Sequence, residues 1–352
     1  MKKITLHEKY FDEYMEKNIF NIEENLVKID KKHQEIIDNA LSDLKKNKKK
    51  FIKNFRDWKF QGDFSCPAQI SFLHLKVLGV FQFLRLVIKF FFQLKSSNFT
   101  RSFKDDLYLL SKVGAEKILE KNPVHKTPNC KSFYKINGSS TNYRWNRYIY
   151  FANTILKKKI LNDGDIHIDI GSFYGGLQSI LKKELPKTNF ILIDFHHQLL
   201  RSFIFLKSLY PDSNHYTSND ITEEKLNHHN GSFFYVHIDQ VNVVESIEPN
   251  LVTNFFSFGE MKRATFNDYI NAKFLRNSKY IYLVNRFVSS PFFEKTYDSD
   301  LNISDYLKIE KYSVNFLDIF PIHHYQLTKR KLFGRADYRP ISSPYFEMIL
   351  QK

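Results

Sequence analysis

The chain has 352 residues, 43% of them hydrophobic and 26% charged, with a formal net charge of +15; this is enough apolar content for a full core, and the length suggests two domains. Its two cysteines, Cys66 and Cys130, exclude a disulfide framework and a cysteine metal site, and point to a reducing, cytoplasmic compartment. A surplus of positive charge draws a protein toward nucleic acid, anionic glycan or anionic lipid, although lysines scattered over a solvated surface need no partner.

The first residues, MKKITLHEKYFDEYMEK, carry acids and aromatics where a signal peptide needs an unbroken apolar run. Residues 1–135 read as helical and contain no glycine-turn motif. A basic run, Lys45 to Lys53, closes a polar helical segment that begins near Glu23, and lysines are electrostatically comfortable at a helix C-terminus. Phe72 to Leu94 is strongly apolar, but Lys76, Arg85 and Lys89 interrupt it. A spanning helix needs about 20 consecutive apolar residues, so this segment does not cross a bilayer. Wound as a helix it has a wide apolar face and a basic stripe, which suits burial against the rest of the protein or a second subunit, or a peripheral position on a membrane. Asn122 to Ser140, rich in Pro, Asn, Gly and Ser, reads as a linker or long loop. The expected division is therefore 1–135, a helical extension for substrate selection, dimerisation or membrane-proximal docking, and 142–352, an α/β domain.

Tyr143 to Lys159 predicts a helix that feeds the strongest motif of the chain, GDIHIDIGSFYGGLQSILKKELPKTNFILIDF from Gly164 to Phe195. Ile166, Ile168 and Ile170 alternate into a buried strand, Gly171 opens a turn, and Gly175 and Gly176 lead into a helix that Pro186 stops. The second strand, Phe190 to Ile193, ends in Asp194, which lies 23 residues past Gly171. That is close to the offset of about 20 residues at which an acid meets a ribose hydroxyl. A nucleotide-binding βαβ unit follows, with backbone N–H groups free at the start of its helix.

The middle glycine of G-x-G-x-x-G, which admits a pyrophosphate, is absent, and Phe173 stands in its place. A ligand with ribose and adenine but no pyrophosphate fits better, and S-adenosylmethionine is such a ligand. Asp169, two residues before Gly171, completes a D-x-G-x-x-x-G pattern. Further along, a helix is expected near Gln198 to Tyr210. Either Pro211 to Asp220 or Ser232 to Gln240 supplies the third strand, with Asp239 favoured over Asp220 as its terminal acid. Asn250 to Met261, NLVTNFFSFGEM, gives the fourth strand and a loop at its carboxyl end, where ligands of open α/β sheets sit. Asn267 to Phe274 reads as a helix and Tyr280 to Val284 as the fifth strand, while Phe316 to Tyr325 and Tyr345 to Leu350 form a final antiparallel pair.

Together DIGSFYGG, LIDF and NFFSFGEM resemble the family of sugar O-methyltransferases found in bacterial surface-polysaccharide gene clusters, over roughly Asn142 to the C-terminus. The resemblance implies a Rossmann-like class I methyltransferase sheet, mostly parallel with an antiparallel last strand, and S-adenosylmethionine as cofactor. It places Asp169, Gly171, Ser172, Phe173, Tyr174, Gly175, Asp194, Phe195, Asp239 and Asn254 at the cofactor, and Glu260 at the acceptor. Phe173 departs from the family's commoner glycine.

A sugar hydroxyl is a weak nucleophile, so a base should take its proton as the new bond forms. Glu260 is the first candidate, followed by His324 and His323 in FPIHHYQ, while His196 and His197 are expected to border the adenosine. No motif demands a metal, although Asp239, Glu260 and His324 could converge on a divalent ion. The expected activity is cytoplasmic O-methylation of a nucleotide-linked or lipid-linked sugar precursor, with the protein at the inner face of the membrane or as a homo-oligomer as open options. Two alternatives stand beside it. One is an RNA methyltransferase using the basic N-terminal region, disfavoured because Ser257 to Glu260 replaces the D/N-P-P-aromatic motif of base-methylating enzymes, so no nucleic acid is expected. The other is a non-catalytic scaffold of a glycan assembly complex.

Overall fold

The computed structural model describes residues 5–18, 98–125, 139–228, 230–289, 301–322 and 344–352, with short pieces at 48–49, 79–81, 83–84, 127, 134–136, 325–327 and 338–340. The chain divides into two compact units. One comprises Met1–Ile4, Asn54–Asn153 and Pro321–Ser342; the other comprises Thr5–Lys53, Thr154–Phe320 and Ser343–Lys352.

In chain order the helices are α1 (Glu8–Lys17), α2 (Asn98–Lys112), α3 (Glu116–Lys121), α4 (Tyr143–Lys158), α5 (Gly176–Glu184), α6 (His196–Leu209), α7 (Glu223–Asn227), α8 (Arg263–Asn271), α9 (Lys273–Arg276) and α10 (Ile303–Leu307). The first unit holds α2, α3, the start of α4 and two hairpins. Its hairpin of β1 (Tyr134–Ile136) and β2 (Ser139–Thr141) lies inside the stretch expected to be a linker. Ile136 pairs with Ser139 and Tyr134 with Thr141, and the sequence between the strands is Asn-Gly, the dipeptide that two-residue hairpins favour. The following helix is set by local side-chain bonds. Asn142 Oδ1 accepts from Trp145 N at 2.8 Å, and the fully buried Trp145 donates through Nε1 to Asn122 O at 2.7 Å.

The second unit is built on an eight-stranded sheet of β3 (Ile166–Ile170), β4 (Asn189–Asp194), β5 (His215–Thr217), β6 (Phe233–His237), β7 (Leu251–Phe255), β8 (Tyr280–Arg286), β11 (Ser313–Ile319) and β14 (Tyr345–Gln351). Its order is β11-β14-β8-β7-β3-β4-β6-β5. The pairs from β8 through β5 are parallel, and β14 runs antiparallel between β8 and β11. This is the expected Rossmann-like α/β fold, with the last strand of the chain inserted against the direction of its neighbours. The pairs β9 (Val288–Ser289) with β10 (Leu301–Asn302), and β12 (Tyr325–Leu327) with β13 (Tyr338–Pro340), are small two-stranded additions.

Both stretches weighed for the third strand enter the sheet. Ser232 to Gln240 contains β6, next to β4, and Pro211 to Asp220 contains β5, one place further out at the edge. The central strands are buried at every position of β3, β4 and β6, as parallel strands covered on both faces must be. Helix α6 is buried from His197 to Phe205 and beyond, not along one stripe alone, because α1 packs on it. Tyr10, Phe11 and Tyr14 form the buried face of α1. The N-terminal helix thus belongs to the unit that carries the parallel sheet.

Candidate functional site

The carboxyl ends of β3, β4, β6 and β7 meet around the glycine turn. Gly171 ends β3 with φ +79°, and a Cβ there would stand 2.3 Å from Ser257 Oγ. Conformation and space both require glycine. Gly175 also has φ +79°, and α5 begins immediately after it. Phe173, between the two, has φ +57°, a left-handed conformation that a non-glycine residue adopts at a cost. The place where the sequence lacks a glycine is therefore a place where the backbone wants one.

The turn is fastened to the second strand. Phe173 N donates to Asp194 Oδ2 at 2.8 Å, Asp194 Oδ1 accepts from Phe195 N at 2.8 Å, and Ser202 Oγ of α6 donates to Phe173 O at 2.7 Å. Burial lifts the Asp194 carboxyl to about 7 against the pull of these two N–H groups, and the neighbouring Asp169 adds to the rise. Each Asp194 oxygen accepts one of these backbone bonds and keeps lone-pair capacity for another donor, the arrangement a vicinal diol needs.

Asp169 lies beneath the turn in a chain of buried side chains. Its Oδ1 accepts from Thr253 Oγ1 at 2.7 Å and its Oδ2 from Gln178 Nε2 at 2.5 Å. Thr253 Oγ1 in turn takes the ring nitrogen Nε2 of His167 as its partner at 2.8 Å, so the histidine carries its proton there. Burial holds His167 neutral, down to about 3, and pushes Asp169 up to about 6. This chain ties β3, β7 and α5 together. Thr253 and His167 escape a motif search because their bonds join residues far apart in sequence, 84 positions for Thr253 and Asp169 and 86 for His167 and Thr253, while Gln178 reaches Asp169 from nine positions on without a recognised motif.

Asn254 closes the other side. It is fully buried, and its Nδ2 donates to Ile170 O at 2.9 Å and to Ser257 Oγ at 2.5 Å. Its Oδ1 accepts from Phe258 N and from Asn285 Nδ2, both at 3.0 Å. Asn285 Oδ1 then accepts from Gly259 N at 3.1 Å. The two asparagines fix the Ser257 to Glu260 loop over the glycine turn, which puts Glu260, half-buried in the turn Phe258–Glu260, on the rim beyond β7. Phe256 has φ +71° and packs edge-on against Tyr345 and Phe320, with centroids 4.9 and 5.7 Å away.

At the β4 and β6 end, His196 and His237 stack face to face with centroids 3.8 Å apart and planes 6° apart. His237 pairs with Asp194 in the sheet register and precedes Asp239 by two residues. Burial pushes His196 down to about 2 and His237 to about 4, so both imidazoles are neutral. Asp239 is exposed, and its N–H faces His237 Nδ1 at 3.3 Å. Burial raises the phenol of Tyr269 of α8, and the charges of Asp194, Asp239 and Asp268 add to the rise. Ser172 and Tyr174 are buried parts of the turn, and Phe195 is the half-buried N-cap of α6.

The structure thus brings Asp169, Gly171 to Gly175, Asp194, Phe195, Asn254 and Glu260 to one end of the sheet, with Asp239 at the end of β6. His323 and His324 lie outside the described residues. Among the described residues there is no group of three or more histidine, cysteine or acidic side chains placed to hold a metal ion.

No protein-family model and no curated protein matches the sequence. Solved structures resemble parts of the fold. The precorrin-6y C5,15-methyltransferase from Geobacter metallireducens is 13% identical with a TM-score of 0.33, over 58% of this chain and 89% of that one. A SAM-dependent methyltransferase from Aquifex aeolicus is 11% identical with a TM-score of 0.34, over 57% and 89%. The magnesium protoporphyrin IX methyltransferase from Synechocystis PCC 6803, solved with SAM bound, is 12% identical with a TM-score of 0.35, over 59% and 80%.

Proposed function

We propose that this protein is an S-adenosylmethionine-dependent O-methyltransferase that acts on a sugar hydroxyl of a nucleotide-linked or lipid-linked polysaccharide precursor. The observation that carries the reading is the contact between Phe173 N and Asp194 Oδ2, which sets a ribose-binding carboxylate against a glycine turn with a phenylalanine where a pyrophosphate would need glycine. The residues fit the cofactor: Asp194 retains lone pairs for the ribose hydroxyls, and glycine at 171 lets the turn after β3 close against Ser257 beside it.

Bound S-adenosylmethionine supplies an electrophilic methyl group. The protein's part is to hold the acceptor oxygen in line with that methyl and to take the hydroxyl proton as the oxygen–carbon bond forms. Glu260, on the clamped loop beyond β7, is the proposed base, with His324 and His323 as the other candidates. Glu260→Gln should leave cofactor affinity unchanged and lower turnover by 10²- to 10⁴-fold, the usual contribution of general base catalysis. Normal turnover would remove Glu260 from this role.

The acceptor's carrier is the finer part of the proposal. Val80, Phe81 and Leu84 are exposed, Phe81 by 90%, within the segment proposed to touch a membrane or a second subunit. No helix among the described residues is long and apolar enough to cross a membrane. A lipid-linked acceptor would place its phosphate at such a surface. Flotation with anionic vesicles, comparing the protein with Phe81→Asp, tests this: loss of co-migration in the variant supports it, and no vesicle binding by the unaltered protein refutes it.

A further inference from the structure

We propose that Tyr14, carried by the N-terminal helix α1, is a positioning residue of the cofactor site: through the His196–His237 stack it holds the strand end that carries Asp239, and so sets which purine the site accepts. The proposal rests on the cofactor reading above.

Tyr14 is fully buried, 182 residues from the histidine it reaches. Its hydroxyl lies 3.4 Å from His196 Nδ1, and its ring packs on Phe203 of α6 with centroids 5.3 Å apart. Burial and the nearby charge of Asp194 raise the phenol well above its ordinary value, so it stays a donor. His196 is neutral, so its Nδ1 meets the phenol as a hydrogen-bond partner, and in the tautomer protonated at Nε2 it accepts from Tyr14. The same holds for His237, whose Nδ1 faces the N–H of Asp239. Two face-to-face imidazoles at 3.8 Å oppose charging both rings, burial keeps both neutral, and Tyr14 orients the first ring, on which the second rests.

Helix α1 is held firmly enough to do this. Glu13 pairs with Lys207 of α6, and Lys17 pairs with Asp220 at 3.5 Å. Asn219 Nδ2 donates to Lys17 O at 2.9 Å. Asn219 and Asp220 follow β5, so the helix spans from α6 to the loop beyond the edge strand and passes the end of β6. With the ribose on Asp194, the acid next along the sheet, Asp239 after β6, is the one placed to accept from a purine amino group. The contact is remote in sequence but adjacent to this acid in space.

The test is calorimetric titration of the full chain with S-adenosylhomocysteine and with S-inosylhomocysteine, in which a carbonyl replaces the exocyclic amine. The unaltered protein should prefer the adenosine form. Tyr14→Phe, which keeps the ring and removes the hydroxyl, should weaken S-adenosylhomocysteine about five- to tenfold and shrink the preference, while Asp194→Ala weakens both ligands alike. A purely structural tyrosine would lower the melting temperature and leave the preference between purines unchanged. Should Tyr14→Phe fold poorly, His196→Phe keeps a stacking ring and removes the Nδ1 acceptor, and it should show the same loss of preference. Unchanged affinity and preference in the variants would overturn the role of Tyr14. Failure of the unaltered protein to bind either ligand would instead overturn the cofactor reading itself.

Discussion

Ser257 Oγ occupies the space that any side chain at Gly171 would enter: a Cβ on Gly171 would lie 2.3 Å from it and 2.6 Å from Ser257 Cβ. The loops after two neighbouring parallel strands, β3 and β7, therefore close on each other at the point where the proposed cofactor sits.

Gly171→Ala should be destabilising by about 2–4 kcal/mol, because a positive φ in a non-glycine residue and a steric conflict act together. Adding Ser257→Gly removes the conflict and leaves the backbone cost. The double variant should recover part of the stability, read from urea unfolding midpoints. No recovery would show that the conflict is relieved elsewhere.

Phe173 invites the opposite substitution. With φ +57°, its backbone suits glycine, whereas alanine would keep the conformational cost and lose the ring contact with Tyr174 at 5.2 Å. Phe173→Gly should be more stable than Phe173→Ala by about 1 kcal/mol. Equal stabilities would mean that the turn relaxes when the ring is removed.

Cofactor affinity should depend on pH through Asp194. Ribose hydroxyls donate best to the charged carboxylate, and burial lifts this group to about 7. Binding should strengthen as pH rises through 7, by about tenfold between pH 6 and pH 8, with proton release visible as a dependence of the calorimetric heat on buffer ionisation enthalpy. Asp194→Asn should bind weakly at both pH values, and a persisting pH dependence in that variant would assign the titration to another group.

Stability should follow the buried histidines. His167, His196, His215 and His237 are pushed below the ordinary imidazole value by burial, to about 3, 2, 4 and 4. Below about pH 6.5 the unfolded chain takes up protons that the folded histidines refuse, so they favour folding above that pH and lose this contribution as pH falls. Asp169 and Asp194 work against them: raised to about 6 and 7, they bind protons in the folded state that the unfolded chain has released, which favours folding at low pH. The histidines outnumber the carboxylates, so stability should rise by roughly 2–3 kcal/mol per pH unit between about pH 4.5 and 6 and level off near neutrality. A urea series that shows stability falling over that interval would contradict the placement of these histidines.

The βαβ unit was legible because its signals are local: alternating isoleucines, glycines at the turn, Pro186 after the helix, and an acid at the end of the second strand. The last antiparallel pair was expected between Phe316 to Tyr325 and Tyr345 to Leu350; its second strand is Tyr345–Gln351, but the first is Ser313–Ile319, so only Phe316 to Ile319 overlaps. What escaped was either a short signal passed over or a contact between distant residues. Asn137 and Gly138 announce a hairpin, yet the surrounding Pro and Ser made the segment read as a linker. Tyr14, Thr253 and Asn285 carry no motif of their own, and their places follow only from the sheet order that brings β3 beside β7 and β7 beside β8, and from the packing of α1 onto α6. Phe173 stood out in the sequence as the wrong residue for its position, and the positive φ gives the physical reason.

The most direct measurement is calorimetric titration of the full chain with S-adenosylmethionine and, separately, with NAD, for the unaltered protein and for Asp194→Ala. S-adenosylmethionine should bind, NAD should not, and Asp194→Ala should lose at least tenfold in affinity for S-adenosylmethionine. Binding of NAD alone, or an Asp194→Ala variant that binds S-adenosylmethionine as well as the unaltered chain, would contradict the cofactor reading.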